Sequence, residues 1–339
     1  MNATTHAPPS SPIRSVSRQT VLDALDRAIP LSHLRITEEE TAEDSTLSRL
    51  HLARLTGMGP TTLRRICRQL AQAGILQPIV SGGSAPLLPV RYPVLPLWEI
   101  TPHAISWRLC DTLGNIVCSL SPEDSPFPSP EDRLTALWSR AAALLEEKPR
   151  YTSERVPTQP PVLLCEGDPS PWLAHLSRLT GVEPLIVLSP AEAAAKELSC
   201  LSVLERAETV LLLHVGVSAQ VTLFTRHITS KPPAPFVPSS ATADLTQALR
   251  DYVQDRPSAK PWEAVAAFLR DLNRFIRLDR VVLELESAME RPSLPRDALP
   301  PSVTPILVRY DHRTLTLAGR GALRLSRRAL WDRMAEGMR

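Results

Sequence analysis

Apolar residues at helical spacing mark the N-terminal part of the chain. A first helix is predicted over Arg18–Ile29, and Pro30 ends it. Its apolar face consists of Val21, Leu22, Leu25 and Ile29. Residues 1–17 are rich in serine, threonine and proline, and we interpret them as disordered. Residues 1–44 are therefore expected to form a flexible segment with one helix and an acidic loop.

Two short helices joined by a tight turn are predicted next, over Ser48–Thr56 and Pro60–Ala73. Gly57 follows the first helix at the position where a positive φ is tolerated, and Pro60 stands where a first helical turn accepts proline. This spacing is typical of a helix-turn-helix unit. Its apolar or small contacts are assigned to Leu50, Leu52, Ala53, Leu55, Met58, Leu63, Ile66, Cys67 and Leu70.

A pair of strands should follow the second helix. Ile75–Val80 and Ala85–Val90, joined by Ser81-Gly82-Gly83-Ser84, predict a two-stranded wing. Residues 45–92 are thus expected to form a winged-helix domain.

Residues 93–339 have a different pattern, in which an antiparallel group of strands precedes strands that alternate with helices. This order predicts an α/β domain with mixed sheets. The predicted strands are Leu95–Thr101, Ala104–Asp111, Asn115–Leu120, Val162–Glu166, Pro184–Leu188, a pair over Thr209–Phe224, Val281–Leu285 and Ile306–Arg309. The predicted helices are Glu131–Lys148, Trp172–Thr180, Ala191–Leu204, Ala243–Gln254, Trp262–Arg277 and Gly321–Met338.

Charge is unevenly distributed in a chain of 339 residues whose formal net charge is only +2. Ser45–Trp98 contains six arginines and neither aspartate nor glutamate, whereas Thr37–Asp44 contains five acids and no base. A local basic surface of this kind favours a polyanion as partner. The acidic run is interpreted as a solvated linker, and the alternative is that it shields the basic helix from non-specific DNA.

The second helix of the pair is the predicted recognition helix, because such helices place their N-terminal residues against base edges in the major groove. Threonine and arginine side chains can bind bases or phosphates there. The alternative is a helical packing module with solvated arginines; the turn spacing, the glycine-rich wing tip and the absence of acids argue against it. The predicted contacts to double-stranded DNA are Ser48, Arg49, Pro60, Thr61, Thr62, Arg64, Arg65 and Arg68.

Cysteine usage and hydropathy exclude several other classes. The five cysteines are odd in number and lack C-x-x-C spacing, which argues against a disulfide framework or a zinc cluster and favours reduced thiols in a cytoplasmic protein. The N-terminus lacks an apolar signal region, and the uncharged stretch Thr209–Thr225 is shorter than the roughly 20 residues of a membrane span. No cofactor and no metal is predicted.

Isolated histidines and acids elsewhere are weak signals. His214 and His227 could be metal ligands, but single histidines near strands are more often ordinary core or surface residues. Glu192 and Glu197 could be catalytic carboxylates, but they are interpreted as the solvated face of an alanine-rich helix that also carries Lys196.

Five segments together resemble the ROK family, which contains bacterial sugar-responsive repressors and sugar kinases. The resemblance covers about residues 45–339. It implies an N-terminal winged helix-turn-helix followed by a two-lobed, actin-like ATPase domain of the ribonuclease H-like type. The segments are SRLHLARLTGMGPTTLRRICRQLAQAGIL, LWEITPHAISWRLCDTLGNIV, GVEPLIVLSPAEAAAKEL, LLLHVGVSAQVTLFTRHI and LTLAGRGALRLSRRAL.

The residues that the family's kinases use are largely missing. The catalytic aspartate of the family's E-N-D-A-N motif corresponds to Pro190, which cannot act as a base, and the neighbouring sugar-binding asparagine corresponds to Ser189. The glycines of the second phosphate loop correspond to His214, Gly216, Ser218 and Gln220, so one of four remains. Glu99-Ile100-Thr101-Pro102 stands in place of D-x-G-G-T, and the E-x-G-H motif and the zinc-site cysteines have no counterpart.

The sequence therefore predicts a cytoplasmic, DNA-binding transcriptional regulator, a repressor of ROK type, and not an enzyme. Its C-terminal domain would form a homodimer or higher homo-oligomer and could sense a sugar or another metabolite. The alternatives are a divergent sugar kinase with rebuilt chemistry and a scaffold that senses no small ligand.

Overall fold

The computed structural model describes thirteen stretches of the chain. These are residues 12–28, 49–78, 87–89, 94–101, 105–120, 129–147, 160–215, 219–228, 233–254, 261–286, 298–303, 305–310 and 314–336. The helices are α1 Pro12–Ala28, α2 Arg49–Thr56, α3 Pro60–Gln72, α4 Pro130–Glu147, α5 Ser170–Thr180, α6 Pro190–Leu198, α7 Thr242–Gln254, α8 Pro261–Leu272 and α9 Leu317–Glu336, with a 3₁₀ turn at Ser202–Leu204. The strands are β1 Leu76–Pro78, β2 Leu87–Pro89, β3 Leu95–Ile100, β4 Ile105–Cys110, β5 Ile116–Leu120, β6 Val162–Cys165, β7 Ile186–Leu188, β8 Thr209–Val215, β9 Ala219–Thr225, β10 Val237–Pro238, β11 Arg280–Glu286 and β12 Pro305–Tyr310.

The first three helices and the β1–β2 hairpin form one small unit, called here the N-terminal unit. Gly57 adopts a φ of 66° between α2 and α3, as predicted for the residue that ends the first helix of the pair. β1 and β2 pair antiparallel, with Leu76 opposite Pro89. β1 begins one residue after its predicted start, and residues 79–86 and 90 of the predicted wing lie outside the described ranges. The core of the unit consists of Val21, Leu22, Ala24, Leu25, Leu52, Leu63, Ile66, Cys67, Leu70, Ile75 and Leu76, together with Trp331 from α9.

Two predictions for this unit were wrong. Leu50 and Leu55 are 63% and 51% exposed, because α2 turns Leu52 and Ala53 toward the core and leaves these two leucines on its flanks. Helix α1 begins at Pro12, six residues before the predicted start and inside the stretch interpreted as disordered. Proline in a first helical turn does not interrupt a helix, so this proline marks the beginning of α1.

The remaining strands form two five-stranded mixed sheets with the same connectivity. The first sheet has the order β5-β4-β3-β6-β7, and the second has the order β10-β9-β8-β11-β12. In each sheet three successive antiparallel strands are followed by two strands parallel to the first. The fold is therefore two copies of one arrangement, which we call the first and second lobes.

Most predicted elements of the lobes are present, with differences at their ends. The helix predicted over Ala191–Leu204 ends at Leu198, where the Ser199 hydroxyl donates to the Ala195 carbonyl oxygen over 2.7 Å, and the 3₁₀ turn follows. The helix predicted over Trp262–Arg277 ends at Leu272. Strand β10, which the proline-rich sequence did not predict, has only two residues.

Helices α6 and α9 cross at very short range. A Cβ atom added to Gly321 of α9 would lie 1.6 Å from the carbonyl oxygen of Ala193 in α6. Ala193, Ala322 and Leu323 are buried at this crossing, in a core shared with the first sheet. Glycine at position 321 is therefore required for the backbones of the two helices to approach each other.

None of the described helices is long and apolar enough to cross a membrane. All five cysteines have free thiols.

Gly321→Ala should lower the free energy of unfolding by about 3 kcal/mol, since the added methyl group meets a backbone oxygen that cannot rotate away. Urea denaturation of the purified protein measures this. The matched control is Gly319→Ala in the same helix, where the nearest atoms to the added methyl belong to the Leu315 side chain at 3.3 Å. If the two variants were equally stable, the close approach of the α6 and α9 backbones at Gly321 would be contradicted.

Candidate functional sites: the α3 surface and the cleft between the lobes

Helix α3 divides cleanly into a buried and an exposed face. Leu63, Ile66, Cys67 and Leu70 are buried, as predicted. The exposed residues include every α3 position predicted to contact DNA: Pro60, Thr61, Thr62, Arg64, Arg65 and Arg68. Of the two other predicted contacts, Arg49 is half-buried on α2, and Ser48 lies outside the described residues.

The exposed face of α3 is a set of hydrogen-bond donors. Arg64, Arg65 and Arg68 have no ion-paired or hydrogen-bonded partner among the described residues. The N-cap is Gly59, which supplies no side-chain acceptor to the first-turn amides. The first turn also has no acidic residue. Open amides at a helix N-terminus and unpaired guanidinium groups both favour an anionic partner.

A cleft of about 830 Å³ lies between the two sheets. Because β3, β6 and β7 run parallel, as do β8, β11 and β12, the carboxyl ends of six strands converge there. This edge of an α/β sheet is where ligands usually bind. The cleft residues at these strand ends are Glu99, Glu166, Ser189, His214, Glu284 and Tyr310.

A short ion pair occupies the first-lobe wall of the cleft. Arg108 on β4 donates to Glu99 on β3 over 2.5 Å. Burial alone would lower the pKa of Arg108, but the Glu99 carboxylate outweighs this effect and raises the pKa above its ordinary value. Glu99 and Arg108 therefore largely neutralise each other.

A second charged group lies on the second-lobe wall. His214 Nδ1 is 2.9 Å from Glu284 Oε2, and His214 Nε2 is 3.3 Å from the Tyr310 hydroxyl. The other oxygen of Glu284 accepts from the backbone amide of Leu317, the first residue of α9. Burial would lower the pKa of His214, but the hydrogen bond and charge of Glu284 raise it above the ordinary value. The proton on His214 is thus linked to the carboxylate that caps α9.

The first turn of α6 forms the part of the cleft where the ROK resemblance would place a catalytic base. Pro190 is its first helical residue, and Ser189 is its N-cap. The Ser189 hydroxyl lies 2.8 Å from a Glu192 carboxylate oxygen and accepts from the Glu192 amide over 3.2 Å. This capping box engages the Ser189 hydroxyl, and the proline at position 190 has no carboxylate.

Sequence reasoning mislocated one acid and missed several cleft residues. Glu197 is fully buried and lies 2.5 Å from Arg324 of α9, so its assignment to a solvated face was wrong, whereas Glu192 is exposed as predicted. Glu166, Arg250, Glu284 and Tyr310 were not predicted as site residues. The sequence signal for Glu284 was its position as a charged residue inside the apolar run of β11.

The two histidines considered as metal ligands, His214 and His227, lie in different environments. His227 is exposed, whereas His214 belongs to the cleft group with Glu284. Within the described ranges, no group of three or more histidine, cysteine, aspartate or glutamate side chains could hold a metal ion.

No protein-family model and no curated protein matches this sequence. Among solved structures, a ROK family transcriptional regulator, a homologue of the E. coli Mlc protein, aligns with 94% of this chain and 99% of its own, with a TM-score of 0.54 and 11% identity. The inorganic polyphosphate/ATP-glucomannokinase of Arthrobacter sp. strain KM covers 70% of this chain and 98% of its own, with a TM-score of 0.42 and 12% identity. The ROK hexokinase of Thermus thermophilus covers 69% of this chain and 97% of its own, with a TM-score of 0.39 and 17% identity.

The similarity to the regulator extends over nearly the whole of both chains and shows the fold. The chain therefore has the same mixed α/β fold as this regulator, with two lobes that each contain a five-stranded sheet. The predicted fold class is confirmed.

His214→Gln should remove a pH-dependent contribution to stability. The pKa of His214 is raised in the folded protein, so its contribution is fully present below the unfolded value of about 6.5 and is lost as the pH rises through the folded-state pKa. The difference in the free energy of unfolding between wild type and variant should therefore be largest at low pH. Urea denaturation at several values between about pH 5.5 and 9 measures it. His227→Gln, at an exposed position, serves as control. If the difference in the free energy of unfolding did not change with pH, the raised pKa of His214 would be refuted.

Proposed function

We propose that this protein is a transcriptional regulator of ROK type that binds double-stranded DNA in the cytoplasm and represses transcription. The observation that carries the proposal is the exposed face of α3. On it, three arginines that have no partner among the described residues and two threonines lie opposite a buried apolar stripe, in a part of the chain without acidic residues. A surface with this composition has the chemistry that phosphates and guanine edges require.

The position of α3 suits a recognition helix. Its first turn carries Thr61 and Thr62, its second turn carries Arg64 and Arg65, and Arg68 follows one turn later on the exposed side. The N-terminal turns of a recognition helix enter the major groove, so these five side chains would reach the DNA first. The β1–β2 hairpin lies directly after α3, where a wing would contact the neighbouring backbone.

We further propose that the protein acts as a homodimer or higher homo-oligomer. One α3 reads only a few base pairs, and regulators with a single helix-turn-helix commonly pair two copies on a two-fold symmetric operator. The spacing of the half-sites would then reflect the two-fold axis of the dimer.

The cleft is proposed as a sensor for a small, carbohydrate-related effector, because helix α9 leads from it to the N-terminal unit. Thr316 and Ala318 line the cleft at the start of α9, and Trp331, near its end, is buried in the core of the N-terminal unit. A ligand that moves the first turn of α9 would therefore displace the base of the DNA-binding surface. Cleft occupancy and DNA affinity would be coupled through this rigid element.

Buried charges strengthen the same connection. Arg327 of α9 donates to the Asp26 carboxylate of α1 over 2.6 Å, and Lys196 of α6 lies 3.5 Å from the other Asp26 oxygen. Burial would raise the pKa of Asp26, but the positive charges of Arg327, Arg324 and Lys196 outweigh it and lower the pKa. Helix α1 is thus fastened to both helices that begin at the cleft.

Phosphoryl transfer is not part of the proposed function. The strongest reason is Pro190, since a base is needed to accept the proton of an attacking hydroxyl and proline has none. The hydroxyl of the neighbouring Ser189 is engaged in the capping box of α6.

Arg64→Ala and Arg65→Ala should each weaken binding to a duplex recovered by genomic selection. A lost phosphate contact would reduce the dependence of log K on log[salt] by about one, and a lost base contact would relax specificity by about 1–3 kcal/mol at that position. Fluorescence anisotropy between about 50 and 200 mM salt distinguishes the two.

Arg206→Ala is the control for these variants, because Arg206 is an exposed arginine outside the N-terminal unit. Equal affinities for wild type and all three variants, or no affinity of the wild type for any duplex at low salt, would contradict the proposed function.

Incubation with ATP and a panel of monosaccharides should give no sugar phosphate above the buffer blank. Mass spectrometry of the products measures this directly. ATP-dependent phosphorylation of any sugar would instead support the divergent-kinase alternative, whatever the DNA affinity.

A further inference from the structure

The exposed face of α3 has a centre and two edges. An α-helix turns about 100° per residue, so Thr61, Arg65 and Arg68 lie within about 30° of the direction opposite the four buried residues of the helix. Arg64 lies about 70° from that direction on one side, and Thr62 lies about 90° from it on the other. The adjacent Arg64 and Arg65 therefore project from different parts of the exposed face, although neither has a partner among the described residues.

Helix α2 adjoins the edge of α3 that carries Arg64. Arg64 precedes the buried Cys67 by one turn, and residues at this spacing are neighbours on a helix surface. Cys67 in turn lies near Arg49, the first residue of α2: burial raises the pKa of the Cys67 thiol, and the positive charge of Arg49 opposes this effect. Arg64 and the start of α2 are therefore on the same side of the exposed face.

The centre and this edge correspond to different parts of a DNA duplex. In a helix-turn-helix unit the second helix lies in the major groove, and the first helix crosses the phosphate backbone. The centre of the exposed face of α3 would then meet base edges, and the edge beside α2 would meet the phosphates that α2 crosses. Two adjacent residues of the same type would thus have different partners because of where the helix places them.

A guanidinium group is suited to both partners. Its parallel N–H donors match the O6 and N7 acceptors that guanine presents together in the major groove. The same group can bind a phosphate oxygen through its charge, and such a contact carries no sequence information. Arg65 lies in the second turn of α3, within the N-terminal part of a recognition helix that contacts base edges, whereas Arg68 lies nearly one turn further along.

We propose that Arg65 reads a guanine in the operator and determines sequence specificity, whereas Arg64 binds a phosphate and contributes affinity without specificity. The partner of α3 is accordingly a duplex whose half-site contains a guanine that pairs with Arg65. The inference rests on the proposed DNA binding and separates the roles of two adjacent arginines at that surface.

Fluorescence anisotropy of the full-length protein with a duplex recovered by genomic selection tests this assignment. Each guanine of the duplex is replaced in turn by 7-deazaguanine, which lacks the N7 acceptor but still pairs with cytosine. We expect at least one guanine at which the replacement weakens wild-type binding about fivefold or more. Titration between about 50 and 200 mM salt gives the dependence of log K on log[salt].

The variants Arg64→Ala and Arg65→Ala are matched controls for each other, and Arg206→Ala is an exposed control outside the N-terminal unit. Arg65→Ala should bind the unmodified and modified duplexes about equally at that guanine, with the salt dependence unchanged. Arg64→Ala should keep the preference for guanine and should reduce the dependence of log K on log[salt] by about one.

Lysine variants separate the charge from the shape of the guanidinium group. Arg64→Lys should keep the wild-type salt dependence, because lysine binds phosphate as a point charge. Arg65→Lys should show a weaker guanine preference than the wild type, because lysine lacks the planar fork of donors. Far-ultraviolet circular dichroism verifies that each variant is folded.

The inference would be overturned if Arg65→Ala kept the guanine preference of the wild type, or if Arg64→Ala either lost that preference or kept the wild-type salt dependence. It would also be overturned if no guanine replacement weakened wild-type binding. In each of these cases the wild type binds the duplex, so the proposed function stands. A wild-type protein that binds no duplex at low salt would refute the proposed function and this inference together.

Discussion

The close crossing of α6 and α9 is the constraint on which the rest of the structure depends. Gly321 lets the α9 backbone meet the Ala193 carbonyl of α6, a distance that no residue with a Cβ atom permits. Both helices begin at the cleft, and α9 ends in the core of the N-terminal unit. A single glycine therefore sets the positions of the cleft wall and of the helices that would meet DNA.

Buried ion pairs fix the orientation of the helices at this crossing. Arg324 pairs with Glu197 across the α6–α9 crossing, and Arg327 donates to the Asp26 carboxylate of α1. Arg327 also stacks on Trp331, with its guanidinium 4.9 Å from the ring centroid. Removing a charge from water is costly, so such a network tolerates few alternative arrangements of its helices. We infer that its main contribution is to fix how α1 docks, rather than to add net stability.

The two similar lobes form a cleft whose presence does not depend on which side chains line it. The repeated strand order brings six strand ends to one place, whatever residues stand there. In this chain those positions carry the paired charges of Glu99 and Glu284 and a helix, Pro190–Leu198, whose N-cap is serine and whose first residue is proline. The backbone architecture thus provides a cavity, and the side chains at the strand ends determine the chemistry that it can support.

The sequence by itself determined the elements, the α/β class and the two faces of α3, because helical and strand periodicities and the glycine at position 57 are local properties. The tertiary structure alone decided which charges are paired. Glutamate is usually a surface residue, but Glu197 is buried and pairs with Arg324, which lies 127 residues away in the chain. The cleft group of His214, Glu284 and Tyr310 likewise joins three strands that are separated in sequence. A charge is solvated or neutralised according to its neighbours in space, and no local pattern records them.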